Sequence, residues 1–66
     1  MVDTAKLRGI FAEHNDSVSK AAKVIGVTRD TMYRKMRRGV FGTDEMEVLI
    51  EHYGIEDPMS IFFKRK

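Results

Sequence analysis

Residues 17–38 read SVSKAAKVIGVTRDTMYRKMRR, and their spacing predicts two short helices. In the first half, four apolar residues follow the i, i+3, i+4, i+7 spacing of one helix face: Val18, Ala21, Ala22 and Ile25. Gly26 follows at the position where a left-handed residue commonly ends a helix. A helix is therefore expected to begin at Ser17 and to stop at Gly26, and its two adjacent alanines let another helix approach closely.

The second half of this segment predicts a helix with one apolar side and one basic side. Thr28 precedes ten residues without glycine or proline, so its hydroxyl can cap a helix that ends before Gly39. Met32 and Met36 are four residues apart and supply the buried side. At about 100° per residue, a different arc collects five polar or basic residues: Arg29, Asp30, Tyr33, Arg34 and Arg37.

Positive charge is concentrated in the same part of the chain. The net charge is +2, but residues 18–40 contain seven Lys or Arg and one Asp, which leaves +6. Residues 1–17 carry −1 and residues 41–66 carry −3. A local basic block in a foldable segment is typical of a surface that meets phosphates, although a solvated helix face gives the same pattern.

Two more segments have helical spacing. The first runs from about Thr4 to His14, and Asp3 or Thr4 can cap its first turn. In the other, Thr43 is expected to cap a helix whose apolar stripe consists of Met46, Leu49, Ile50 and Tyr53. The loop before this helix is expected to place Phe41 on the core.

A last short helix is expected near the end of the sequence. Asp57 can cap it, with Pro58 at the first helical position, where a missing amide hydrogen costs nothing. It carries an apolar cluster: Met59, Ile61, Phe62 and Phe63. Since no segment has the alternation of a strand, the expected fold class is all-α, a compact bundle of about five short helices in one domain over residues 1–66.

Length and composition exclude several classes of protein. A chain of 66 residues with 42% hydrophobic and 33% charged residues has room for one small core and is neither disordered nor membrane-spanning. It has no cysteine and no signal-peptide pattern, so disulfides are excluded and a cytoplasmic location is expected. His14 and His52 lie on different helices and are expected at the edge of the core. We expect no catalytic residue, metal, cofactor, small-molecule ligand or membrane partner.

The arrangement of residues 17–38 predicts a nucleic-acid partner. A helix, a tight turn at Val27 and Thr28, and a second helix with a basic outer face form a helix-turn-helix. A helix is about as wide as the major groove of DNA, so residues 29–38 can reach base edges while the first helix crosses the backbone. The expected partner is double-stranded DNA.

The same segment resembles two groups of bacterial and phage regulators. The pattern Ala-x-x-x-Gly-Val-Thr-x-x-Thr, from Ala22 to Thr31, is similar to the phage repressor and Cro class. The Ala-Ala pair and the pattern Arg-x-Thr-x-Tyr-Arg-Lys, from Arg29 to Lys35, resemble the Fis-type motif. In the Fis class the motif lies at the C-terminal end, whereas here a fourth helix and Pro58-Met-Ser-Ile-Phe-Phe follow. This continuation resembles small phage Cro-like regulators, which implies a lambda-repressor-like fold and a repressor that occupies operator DNA and excludes polymerase.

The resemblance also implies roles for individual residues. Arg29, Asp30 and Arg34 stand at the first, second and sixth positions of the recognition helix, which read bases in the phage class. Asp30 can accept from a cytosine amine or, as the i, i+4 partner of Arg34, can orient that arginine. Phosphate contacts are expected from Ser17, Ser19, Lys20, Thr28, Thr31, Tyr33, Lys35, Arg37 and Arg38. The stem of Lys35 can equally be buried, and Val18 stands where the phage class often has a glutamine that touches DNA.

The C-terminal apolar cluster has two interpretations. Helix-turn-helix regulators bind two half-sites as dimers, and Ile61, Phe62 and Phe63 can form the seam of a homodimer that exists at least on DNA. Alternatively, Phe62 closes the core of the monomer. Two other functions stay open: a Fis-like nucleoid or recombination accessory DNA-binding protein, and a protein-interaction domain that uses the acidic fourth helix and this cluster.

Overall fold

A computed structural model of the chain describes residues 1–63, so the last three residues of the predicted 1–66 domain lie outside the described residues. The described part contains five helices and no strand. They are α1 (Thr4–Glu13), α2 (Val18–Ile25), α3 (Arg29–Arg38), α4 (Thr43–Tyr53) and α5 (Pro58–Phe62). The all-α prediction is confirmed, and the protein is a small helical bundle with a helix-turn-helix formed by α2 and α3. Among residues 1–63, no helix has the length and apolar character needed to span a membrane.

Side-chain caps explain where most of these helices begin. In α1, α2, α3 and α5, the side chain of the N-cap residue accepts from the backbone amide three residues on; the caps are Asp3, Ser17, Thr28 and Asp57. The predicted cap of α4 is wrong, because Thr43 is the first helical residue and Gly42 occupies the N-cap. The amide of Gly42 donates to Oε1 of Glu45 over 2.8 Å, so the acidic side chain at the third helical position satisfies the amide of the N-cap residue.

One hydrophobic core joins all five helices. Its most deeply buried large side chains are Leu7, Phe11, Met32 and Leu49. Met36 and Phe41 are also buried, as predicted from their spacing and loop position. Met59, a member of the predicted apolar cluster of the last helix, is 65% exposed and takes no part in the core.

The turn between α2 and α3 follows from residue size and backbone freedom. Ala21 and Ala22 are fully buried, and their small side chains let α3 pack closely on α2. Gly26 has a φ of 76°, a left-handed conformation that glycine adopts without steric cost. The amide of Val27 donates to the carbonyl of Ala22 over 2.9 Å and closes the end of α2.

The two ends of the described chain meet beside the C-terminus of α3. The amide of Val2 donates to the carbonyl of Gly39 over 2.9 Å, and the amide of Asp3 donates to the carbonyl of Ile61 over 2.6 Å. The side chain of Val2 is buried in the core. Local periodicity did not predict these backbone contacts of the N-terminal segment, because Val2 precedes the first helix.

The burial of α5 bears on the two interpretations of the C-terminal apolar cluster. Ile61 and Phe62 are 6% and 3% exposed, because they pack into the core of the monomer. Phe63 is 56% exposed. Of the three residues assigned to the seam, Phe63 alone presents a large apolar surface outside the core.

Candidate nucleic-acid interface

The exposed face of α3 is predominantly cationic. Met32 and Met36 hold the opposite face in the core, and Thr28 caps the first turn through a 3.2 Å bond from the amide of Thr31. The charged residues on the solvent side are Arg29, Asp30, Arg34, Arg37 and Arg38. The predicted outward arc is therefore exposed in the structure, and Tyr33 on the same arc is partly buried.

A short chain of hydroxyls leads from the N-cap of α3 to Arg34. The hydroxyl of Thr28 donates to Oγ1 of Thr31 over 2.9 Å. A terminal amine of Arg34, Nη2, donates to the same Thr31 oxygen over 3.4 Å. The guanidinium of Arg34 is thus directed back along the helix toward its N-terminal end.

A pairing of Asp30 with Arg34, one of the two interpretations of Asp30, is absent from the described residues. Among residues 1–63, the ion pair found joins Lys35 to Glu45, and Arg34 has Thr31 as its side-chain partner. The suggestion that Asp30 orients Arg34 is therefore not supported by a contact. In this part of the chain, the carboxylate of Asp30 is exposed and forms no ion pair with an arginine.

Lys35 lies beside α4 instead of on the outward arc. Its ammonium is 3.1 Å from Oε1 of Glu45, and 28% of its side chain is exposed. The pair neutralises part of its charge. Of the two interpretations offered for Lys35, burial of the stem fits this position better than a phosphate contact.

The N-terminal end of α2 brings three of the predicted phosphate contacts together. Ser17 accepts from the amide of Lys20 over 3.1 Å, which leaves its own hydroxyl proton available to a ligand. Lys20 is exposed and Ser19 is half-buried. Val18 packs against the core.

Tyr33 contacts two arginines, one of which the sequence did not indicate. The Cζ atom of Arg29 lies 5.5 Å from the centre of the Tyr33 ring, and the Cζ atom of Arg8 lies 5.9 Å from it. Both distances are within the range of cation–π attraction. Arg8 belongs to α1, outside the helix-turn-helix, and its place beside α3 arises from tertiary packing.

A second cluster of titratable groups surrounds Tyr53, away from α3. The hydroxyl of Tyr53 donates to Oδ2 of Asp16 over 2.8 Å, and both histidine rings pack edge-on against the Tyr53 ring. Burial raises the pKa of Tyr53 well above its ordinary value, and the hydrogen bond to Asp16 raises it further. Among residues 1–63, no group of three His, Cys, Asp or Glu side chains has the geometry to hold a metal ion.

Comparison with known families agrees with this geometry. Residues 12–39 match the family described as "Bacterial regulatory protein, Fis family". The matched range covers α2, α3 and the turn between them, and it ends before α4 begins. No curated protein and no solved structure matches the chain with significance. The match to the Fis family, together with the exposed cationic face of α3, supports a helix-turn-helix DNA-binding domain of the kind found in regulatory proteins.

Proposed function

We propose that this protein is a sequence-specific regulator of transcription that reads double-stranded DNA by placing α3 in the major groove. The observation that carries the proposal is the exposed face of α3, on which four arginines accompany a single aspartate. In residues 1–63 no carboxylate forms an ion pair with any of these arginines, so their charge is available to DNA.

Base reading is assigned to the first, second and sixth residues of α3. Arg29 and Arg34 can each bind O6 and N7 of guanine with two hydrogen bonds, which is worth about 1–3 kcal/mol of discrimination. Asp30 is exposed between them and can accept from the amine of cytosine.

Phosphate contacts are assigned to the rim of this surface. Arg37 and Arg38 extend the cationic face toward the end of α3, while Ser17 and Lys20 stand at the N-terminal end of α2, where backbone amides also attract anions. Thr28, Thr31 and Tyr33 supply hydroxyls, and Ser19 is a further donor. Lys35 is the weakest member of the predicted set because it already pairs with Glu45.

We further propose a Cro-like mode of action, in which a homodimer occupies an operator and excludes polymerase. The helices α4 and α5 follow the matched motif, as in the small phage regulators that the chain resembles. A dimer would place two copies of α3 on half-sites about one helical turn apart. Phe63 is the predicted seam residue that is accessible for such a contact.

A second candidate is a weakly selective DNA-binding protein of the Fis type, acting in nucleoid structure or recombination. The observation that favours it is the family match over residues 12–39. The two candidates share the DNA surface and differ in whether binding depends on sequence. The protein-interaction alternative loses Ile61 and Phe62 from its proposed contact surface, since both are buried, and keeps the acidic side chains of α4 and the exposed Phe63.

Selection of bound sequences from random duplex DNA, repeated at two salt concentrations, distinguishes these functions. We expect an enriched, nearly palindromic site, whose half-site spacing would report the dimer geometry. Binding without enrichment would favour the Fis-type candidate. No binding at low salt would contradict a DNA-binding function of either kind.

A further inference from the structure

A cleft between α1 and α3 borders the proposed DNA surface. Its volume is about 380 Å³, and its walls are Thr4, Ala5, Arg8, Tyr33, Met36 and Arg37. Two of the six residues are arginines and none is acidic. The cleft therefore combines a small apolar floor with two cationic groups at its rim.

The position of the cleft follows from the register of α3. Arg29, Tyr33 and Arg37 are spaced four residues apart and form one row along that helix. Arg8 reaches the middle of the row from α1, since its Cζ atom is 5.9 Å from the centre of the Tyr33 ring. The cleft thus opens along the edge of the face that the proposed function places in the major groove.

Within the described part of the chain, no carboxylate forms an ion pair with an arginine at the cleft. The ion pair found among residues 1–63 joins Lys35 to Glu45, and it involves none of Arg8, Arg29 and Arg37. Arg8 and Arg37 line the same cleft from α1 and α3, which places two positive charges on its walls. An anion within reach of both arginines would lower their repulsion.

The side chains are suited to a phosphate. A guanidinium is planar, stays charged at all relevant pH values and can bind two phosphate oxygens at once. Stacking on Tyr33 limits the conformations of Arg8 before any ligand binds, so less conformational entropy is lost on binding.

We propose that this cleft binds one backbone phosphate of duplex DNA between Arg8 and Arg37, with the Tyr33 ring as its wall, an inference that rests on the DNA-binding function proposed above. Arg8 is then a positioning residue. It reads no base, and it fixes the depth and angle at which α3 enters the groove. The DNA interface accordingly extends beyond the helix-turn-helix to α1.

The test compares Arg8→Ala with the unsubstituted chain in binding to an unrelated duplex and to the preferred duplex, by fluorescence anisotropy at several salt concentrations. We expect a similar loss of affinity for both duplexes and a salt slope reduced by about 1. For either duplex, the affinity of the unsubstituted chain divided by that of Arg8→Ala should then shrink roughly threefold between 50 and 200 mM salt, as expected for one lost phosphate contact.

Lys6→Ala is the matched control. Lys6 is an exposed cation on the same helix, but it lines the groove between α1 and the α4–α5 region. The Arg8→Ala effect should exceed the Lys6→Ala effect in both affinity and salt slope. Equal effects would mean that Arg8 acts through net charge alone, which would overturn the site.

The double variant Arg8→Ala/Arg37→Ala tests whether the two arginines share one phosphate. Sharing predicts that the combined loss is smaller than the product of the two single losses, because either substitution already weakens the common contact. Fully multiplicative losses would overturn the shared site. Thermal unfolding of each variant checks that the fold is kept, as expected for exposed side chains.

The outcomes also separate this inference from the proposed function. If the unsubstituted chain binds duplex DNA and Arg8→Ala binds equally well, the cleft proposal fails and the function stands. If the unsubstituted chain binds no duplex even at low salt, the function fails and the site fails with it.

Discussion

Arg29 and Arg38 stand at opposite ends of α3 and differ in their expected contacts with DNA. Arg29 begins the helix and stacks on Tyr33, whereas Arg38 ends it beside Thr31, Arg34 and Val40. In a recognition helix the N-terminal residues approach base edges, and the residues farther along approach the backbone. An arginine can therefore contribute to sequence specificity at the N-terminal end of α3 and to the positioning of the helix on the DNA backbone at the C-terminal end.

We predict that Arg29→Ala loses sequence preference, by about 1–3 kcal/mol at the base it contacts. Arg38→Ala should instead weaken binding to all sequences similarly and lower the salt slope by about 1. Binding isotherms with matched and mismatched duplexes at several salt concentrations measure both effects. If the two variants behaved alike, the assigned roles would be wrong.

Tyr53 makes the free energy of unfolding depend on pH in the alkaline range. Its hydroxyl is held protonated because burial, and then the bond to Asp16, raise its pKa in the folded state above the ordinary value of 10.0. A raised folded pKa means that the contribution of Tyr53 to stability is fully present below pH 10 and is lost as the pH rises above it.

Tyr53→Phe should therefore be less stable than the unsubstituted chain at neutral pH, by about 1 kcal/mol for the lost hydrogen bond. Above pH 10 this difference should shrink, by up to about 1.4 kcal/mol per pH unit. Urea unfolding from pH 8 to 11 measures it. Asp16→Asn should keep most of the pH dependence, because burial is the larger cause of the raised pKa of Tyr53. A stability difference between Tyr53→Phe and the unsubstituted chain that stays constant with pH would contradict this account.

At the scale of the elements, the two helices of the motif are set by caps and small residues. Ser17 and Thr28 hold the first turns of α2 and α3, and Ala21 and Ala22 let the helices pack closely. The face that α3 exposes depends on this packing, since Met32 and Met36 occupy the core side.

Thr28 and Thr43 provide a matched test of the caps. Thr28→Ala should destabilise the protein by about 1 kcal/mol, because the amide of Thr31 loses its acceptor at the helix N-terminus. Thr43→Ala should change stability little, since Thr43 is the first residue of α4 and Glu45 satisfies the amide of Gly42. Both values come from urea unfolding without DNA. A larger loss for Thr43→Ala than for Thr28→Ala would reverse the assignment.

At the scale of the whole molecule, α5 closes the core, and the N-terminal segment is hydrogen-bonded to α5. Phe62 is buried among the other helices, and the carbonyl of Ile61 accepts from the amide of Asp3. The neighbouring Phe63 points its ring to the surface. Two adjacent phenylalanines thus lie in different environments, one in the core and one at the surface.

Phe62→Ala should cost about 3–5 kcal/mol, which is enough to unfold much of a domain of this size. The milder Phe62→Leu should keep the fold with a smaller loss of stability. Phe63→Ala should leave the unfolding curve unchanged and, if Phe63 forms the dimer contact, lower the sedimentation mass of the complex with DNA. Loss of folding in Phe63→Ala would show that Phe63 belongs to the core.

The sequence by itself determined the helices and the basic face of α3. Thr28, Met32, Met36 and Gly39 predicted the start, the buried side and the end of α3, because caps and helical periodicity are properties of neighbouring residues. The concentration of positive charge in residues 18–40 pointed to DNA, because charge can also be counted directly along the chain.

Tertiary structure alone decided which side chains meet across the bundle. Arg8 reaches Tyr33, Lys35 pairs with Glu45, and Tyr53 bonds Asp16, which is 37 residues away in the chain. Periodicity shows which face of a helix is apolar, but it does not show which element covers that face. The burial of Phe62 beside an exposed Phe63, and the cationic cleft between α1 and α3, depend on that three-dimensional arrangement.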